Sequence, residues 1–198
     1  MGQTVIVGLT GNIATGKSEV ARMLAEMGAC IIDADLVAHK VMLPDGPAYP
    51  AVVDAFGLEI LAADGVIDRA KLGAIVFRDP NALQRLEAAV HPAVIAEVDR
   101  RISQATEPVV VVEAIKLVEA GMHRRYDALW VVTAPRRSQI ERIVTSRGLT
   151  ETEAALRIDA QPPQEEKAAL ADVVIVNDGS LDALREKVEG AWAQLYRT

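Results

Sequence analysis

The stretch Gly11-Asn12-Ile13-Ala14-Thr15-Gly16-Lys17-Ser18 constrains this chain more than any other part of it. It is a complete G-x-x-x-x-G-K-S segment, and such a segment works only between a strand and a helix. Both flanks are legible. Residues 4–9 are a short apolar run bounded by turn residues, the pattern of a buried strand. Residues 18–27 carry Val20, Met23, Leu24 and Met27 at a helical period, with Gly28 as a stop. The glycines let the backbone wrap closely around phosphate oxygens, while successive N–H groups and the helix N-terminus supply partial positive charge. Lys17 is placed to reach the β- and γ-phosphates of a nucleoside triphosphate, and the Ser18 hydroxyl to bind Mg²⁺.

The rest of the chain alternates strands with helices. Cys30-Ile31-Ile32 is a second short strand ending at Asp33, and residues 109–112, 129–132 and 173–176 are three more. Asp79-Pro80 starts a helix running to about residue 91, Pro135 occupies a first-turn position, and Thr150 with Glu153 forms a capping box. Ser180 opens the last helix, whose Leu181, Leu184, Val188, Trp192 and Leu195 fall on one stripe. This rhythm predicts an α/β three-layer fold of the P-loop type, a mainly parallel five-stranded sheet with helices on both faces. Two stretches break it. Residues 34–105 are almost entirely helical, and residues 148–166 form a second helical excursion ended by Pro162-Pro163. The expected division is a nucleotide-binding core of residues 1–33, 106–147 and 167–198, a substrate lobe of 34–105, and a lid of 148–166.

Composition limits what such a fold serves. The chain has 198 residues, of which 51% are hydrophobic, so a packed core is expected and a disordered chain is excluded. Its 28 acidic and 21 basic side chains leave a charge of −7, which argues against a general nucleic-acid-binding surface. The single cysteine, Cys30, forms no intrachain disulfide, and no apolar run approaches the roughly 20 residues of a spanning helix. The expectation is a soluble cytoplasmic protein with no nucleic-acid or membrane partner, a monomer or weak homo-oligomer. Between Arg124 and Arg157 seven arginines face four acids, so this segment carries +3 while the remainder carries −10. Arginine forks match phosphate; the competing reading is a solvated helix face.

Asp33-Ala34-Asp35 stands just past the second strand, on the edge where parallel sheets hold ligands. In extended chain an i, i+2 pair projects to one side, so one carboxylate can take a proton from an attacking hydroxyl while the other orients substrate or magnesium water. The alternative is that Asp35 only caps a helix beginning at Leu36. Glu113, closing the third strand, is placed to hold magnesium through water, or else faces solvent.

Together with the phosphate loop and the Asp33-Ala34-Asp35 turn, other segments carry a resemblance. They are His91-Pro92, Glu119-Ala120-Gly121-Met122-His123-Arg124-Arg125-Tyr126-Asp127 with the strand after it, the spacing from Arg157 to Gln161, and Asn177-Asp178-Gly179-Ser180. In order and over essentially the whole chain they resemble the dephospho-coenzyme A kinases. The resemblance implies magnesium-dependent transfer of the ATP γ-phosphate to the ribose 3′-hydroxyl of dephospho-coenzyme A. It implies Asp33 as the base for that hydroxyl, and Arg142 and Arg147 as cations near the transferring phosphate. It also implies Asn177 and Gly179 as the turn holding adenine, where the residues alone read as a plain turn. The loop from Gly11 to Ser18, with Glu19, belongs to the ATP set; Asp35, His91 and Arg157 belong to the acceptor set. For His91 the alternative is a helix-end histidine before Pro92.

The chain departs from the family pattern in three places. Asn12 stands where a second glycine is usual, and Glu19 where threonine is usual. Ile115-Lys116-Leu117-Val118 replaces a proline-leucine-leucine-phenylalanine segment. Lys116 is thereby expected to contact a phosphate or the acceptor ribose, against the alternative of an exposed loop lysine. Two other functions share such a phosphate loop, a kinase of this architecture with a different acceptor and a nucleotide-hydrolysing switch. No N-K-x-D base-reading segment supports the switch.

Overall fold

Val109 to Val112 show no polar alternation, so the strand they form must be covered on both faces. That strand, β3 (Val109–Glu113), is buried at every position. The structure is a computed structural model and describes residues 4–195. It sets β3 in a five-stranded parallel sheet with β1 (Val5–Thr10), β2 (Cys30–Asp33), β4 (Ala128–Thr133) and β5 (Val173–Val176), in the order β2-β3-β1-β4-β5. Register is fixed by apolar pairs: Val7 lies beside Val111 and Ala128, and Trp130 beside Val173. Leu9 pairs with Glu113, which puts that glutamate next to the chain as it enters the phosphate loop.

The helices are α1 (Lys17–Glu26), α2 (Ala34–Val41), α3 (Tyr49–Phe56), α4 (Arg69–Val76), α5 (Pro80–Gln104), α6 (Arg136–Arg147), α7 (Glu151–Asp159), α8 (Gln164–Ala168) and α9 (Leu181–Gln194). Contacts divide the chain into two compact units, residues 1–32 with 105–198, and residues 33–104.

In the first unit, α1 buries Val20, Met23 and Leu24 against Val7, Leu9, Val111 and Trp130, and α9 adds Leu184 and Val188 to the same cluster. Trp192 and Leu195 pack on its margin. Leu181, expected on the stripe, sits at the first turn of α9 and is 63% exposed. The expected 148–166 segment consists of α7, with Thr150 and Glu153 forming the capping box, and α8, which runs on to Ala168. Pro162-Pro163 separates these helices rather than ending the excursion, because a proline suits the position just before a first turn.

In the second unit, α5 is the spine on which α2, α3 and α4 pack. Its buried Ala82, Val90, Val94 and Val98 lie four or eight residues apart on one stripe. The helix continues through Pro92 to Gln104 instead of stopping near residue 91. A proline removes one helical hydrogen bond, here to the carbonyl of Ala88, and the buried valines beyond it hold the helix together. His91 is therefore a mid-helix residue. Glu97 takes hydrogen bonds from Arg100 and Arg101, which hold its carboxyl down at about 2.

Leu24 is fully buried in the α1–sheet cluster. Leu24→Ala is expected to lower unfolding free energy by about 2–5 kcal/mol, through lost transfer energy and the cavity left behind. Denaturant melting with an unchanged m-value is the measurement.

Candidate active site

Between Thr10 and Lys17 the chain turns back on itself, and its carbonyls are taken one after another, by Thr15 within the turn and by donors from outside it. The Asn12 carbonyl accepts from Thr15 N at 3.3 Å and Thr15 Oγ1 at 3.0 Å. The Ile13 carbonyl accepts from Gln139 Nε2 at 2.7 Å. Arg142 Nη1 donates to the carbonyls of Ala14 and Thr15, 3.1 Å each, and Asn177 Nδ2 donates to that of Thr15 at 2.8 Å. Carbonyls held on the outside turn the opposite face of the loop toward the mouth, with those N–H groups that the Asn12 carbonyl and Gln161 do not take.

Glycine is required at two places. Gly11 lies so near β4 that a Cβ there would stand 2.5 Å from the Val132 carbonyl oxygen. Gly16 has φ 96° and would meet the Asn177 amide. Gly16 is also the N-cap of α1 and brings no side chain to cap it. The first N–H groups of α1, on Lys17 and Ser18, thus remain available to an anion. Ala14 adopts φ 58°, a strained value for a residue with a Cβ, and its carbonyl is one of the two loop carbonyls that Arg142 holds.

Glu113 is 6% exposed, which rules out the solvent-facing alternative. Its Oε1 accepts from Lys17 Nζ at 2.5 Å and from Ser18 Oγ at 3.2 Å. Lysine, serine and glutamate thus converge at the mouth of the loop. Removing either ion-pair partner leaves a buried charge uncompensated.

Beside the loop a cavity of about 470 Å³ is lined by Ala14 and Gly16 and by α6 from Glu141 to Arg147. A hollow of about 510 Å³ lies instead at the amino ends of β1, β4 and β5, lined by Asp127, Trp130 and Asp172. Parallel sheets hold ligands at the carboxyl ends of their strands, which favours the first cavity as the nucleotide site.

The other expected site residues fall as follows. Asp33 ends β2, and its Oδ1 accepts from Leu36 N at 2.8 Å as the N-cap of α2. The chain is helical from Ala34, so the strand geometry expected for the Asp33–Asp35 pair does not hold. Asp33, not Asp35, is the cap, and Asp35 lies in the first turn. Asp35 and His91 are half-buried and belong, with Asp33, to the second unit. Lys116 is exposed in the segment after β3. Arg147 is exposed at the last turn of α6, Arg157 is exposed on α7, and Gly179 is exposed just before α9. Glu19 is on the first turn of α1, hydrogen-bonded to Arg22, which lowers its carboxyl below the usual range. Asn177 is 6% exposed, so it is no plain surface turn.

Three residues escape a reading of the sequence. Gln139 is 3% exposed and precedes the buried Ile143 by one helical turn, so a polar residue on an apolar row is its signal. Gln161 stands out in the sequence only by its spacing from Arg157, yet its Oε1 accepts from Ile13 N at 2.7 Å. Lys167 is 3% exposed; its Nζ donates to the Ile115 carbonyl at 2.7 Å and pairs with Glu119 at 3.1 Å. Nothing in the sequence around Lys167 separates it from a solvent-facing lysine.

The family model for dephospho-CoA kinase matches residues 5–183. A dephospho-CoA kinase from Geobacter sulfurreducens is 44% identical over 194 residues, covering 96% of this chain and 98% of that protein. Among solved structures, TT1252 from Thermus thermophilus superposes with TM-score 0.86 at 34% identity, covering 98% of this chain and 99% of that one. The dephospho-CoA kinase from Campylobacter jejuni gives 0.70 at 26% identity, with 97% of each chain covered. A phosphate loop of this construction, on this sheet order, and a match running from β1 into α9 place the chain in the dephospho-CoA kinase family.

Proposed function

We propose that the chain carries out its family's phosphoryl transfer, from ATP to the 3′-hydroxyl of the ribose of dephospho-coenzyme A, with its own residues in specific roles. The observation that carries this reading is the convergence of Lys17, Ser18 and Glu113 at the mouth of a loop whose carbonyls are held outward. The loop from Gly11 to Ser18 binds the phosphate chain through those of its N–H groups that the Asn12 carbonyl and Gln161 do not take, and Lys17 neutralises the β- and γ-phosphates. The adjoining cavity takes the nucleoside. Arg142 and Arg147 line it, with Asn177 and Gly179 toward the adenine. Because Arg142 uses Nη1 on loop carbonyls and Nη2 on the Asn177 carbonyl, it acts on the phosphates through its charge.

Ser18 and Glu113 offer a hydroxyl and a carboxylate 3.2 Å apart, hard oxygen donors of the kind Mg²⁺ selects, so the residues present fit the metal. When bound, the ion neutralises charge on the β- and γ-phosphate oxygens. Asp33 is the base. Its cap to Leu36 N fixes Oδ1 and orients the carboxylate, and the second oxygen takes the proton from the acceptor hydroxyl. Asp35, His91 and Arg157 bind the acceptor, with Lys116 as this chain's own addition.

The second unit acts as the acceptor lobe and residues 148–166 as the lid. No described helix is long and apolar enough to cross a membrane, which accords with work in the cytoplasm on small soluble substrates.

The deciding experiment is turnover of ATP and magnesium against a panel of acceptors. Efficient phosphorylation of dephospho-coenzyme A supports the reading; turnover of a nucleoside monophosphate with none of dephospho-coenzyme A overturns it. Asp33→Asn is expected to keep ATP affinity while kcat falls about 10²–10⁴-fold, the usual worth of general acid–base catalysis. Near-normal kcat would reduce Asp33 to a helix cap. Lys17→Met and Glu113→Gln are each expected to abolish turnover and to lower stability by about 3–5 kcal/mol, since each strands a buried charge. The double variant should recover most of that stability and none of the activity, as read by chemical denaturation beside the turnover assay.

A further inference from the structure

The turn that follows α7 is fastened to the phosphate loop at two points 148 and 150 positions apart in the chain. Asn12 Nδ2 donates to the Pro162 carbonyl at 2.8 Å, and Ile13 N donates to Gln161 Oε1 at 2.7 Å. With Gln139 Nε2 on its carbonyl, Ile13 has both of its backbone polar groups held by glutamines, one from α6 and one from the α7–α8 link. Neither tie closes the loop itself; Thr15 does that by bonding back to Asn12.

Asn12 is the residue that departs from the family's glycine. It is 6% exposed, and its Oδ1 is buried without a hydrogen-bond partner. A buried orphan acceptor is unfavourable. Its orientation is set by Nδ2, because only the amide nitrogen can donate to a carbonyl. Glycine at this position has neither the orphan oxygen nor the tie. The side chain thus adds one thing the family pattern lacks, a link from the head of the phosphate loop to the turn at Pro162.

We infer that Asn12 and Gln161 are positioning residues that clamp the Gln161-Pro162 turn to the phosphate loop, making that turn the fixed end of the lid and holding the loop backbone in its phosphate-binding form. The lid's free travel is confined to residues 148–160, short of the end at residue 166 that the sequence suggests. A loosened clamp lets the residue-13 backbone rotate, so the effect falls on the nucleotide side of the reaction. The acceptor is bound by other residues and is not affected. This inference rests on the nucleotide-site reading above.

The test compares Gln161→Met, which removes the acceptor at similar length, with Asn12→Gly and the double variant. Each single change is expected to raise KM for ATP about fivefold to tenfold, the loss of one hydrogen bond's worth of affinity. KM for dephospho-coenzyme A should stay within about twofold. The double variant should show less than the product of the single effects, because both ties hold one turn. Amide hydrogen exchange at Ile13 should quicken in Gln161→Met, a readout independent of turnover. Unchanged KM for ATP and unchanged Ile13 exchange in both single variants, with only a lowered Tm, would overturn the clamp. Asn12→Gly restores a residue usual in the family, so it keeps the test open should Gln161→Met fail to fold. Wild-type turnover of dephospho-coenzyme A is measured first. Its absence counts against the functional reading, whereas active wild type with indifferent variants counts against the clamp alone.

Discussion

A peptide carbonyl aimed into an anion site repels the ligand as strongly as an N–H attracts it, so a phosphate loop needs partners for its carbonyls on the side away from phosphate. Here segments far from the loop in sequence supply most of those partners. Gln139 and Arg142 come from α6, Asn177 from the end of β5, and Thr15 from the loop itself. These donors are in place because β4 lies beside β1 and β5 beside β4, so that the segments leaving β4 and β5 emerge on the side of the loop. The strand order is thus a condition of phosphate binding.

Charge obeys the same geometry. A chain of net charge −7 has to receive polyanionic substrates. It does so through backbone dipoles and a few fixed cations, not through a general positive field. The arginine-rich segment divides between two uses. Arg136 pairs with Asp159 and Arg137 with Glu141 at exposed positions, where an ion pair is worth roughly 0–1 kcal/mol. Arg142 is turned inward onto the loop. The solvated-helix reading is right for Arg137 and wrong for Arg142, on one face-to-face rotation of the same helix.

The range of the forces involved decides how much of this is legible in the sequence. The five strands and the helix starts are readable because apolar periodicity and capping are local, and Thr150 with Glu153 forms its box as spaced. The glycines at 11 and 16 are readable because backbone approach permits no other residue. Long-range polar satisfaction leaves little trace. Lys167 looks like any surface lysine until the Ile115 carbonyl is beside it. Pro92 misleads because a local rule against proline in helices loses to the packing of Val94 and Val98. Asp33 and Asp35 mislead for a related reason. Strand alternation carries two residues too far, past the point where Asp33 itself stops the strand by capping α2.

The contact between Lys17 and Glu113 shows why the loop is both stable and ready. Glu113, itself buried, pairs with the Lys17 ammonium and aims it across the mouth of the loop. The same oxygen also accepts from the Ser18 hydroxyl, so one carboxylate holds both side chains at the mouth of the loop. A triphosphate brings several negative charges to a lysine held by one, in surroundings of low dielectric where such differences are magnified. In the proposed reading the ammonium transfers to the nucleotide without ever being left unpaired. Glu113, released from Lys17, is then an anionic oxygen facing the phosphates, which only a cation can bring together with them. In the proposed reading a divalent ion would offset that charge, with Ser18 and Glu113 as the oxygen donors that would hold it.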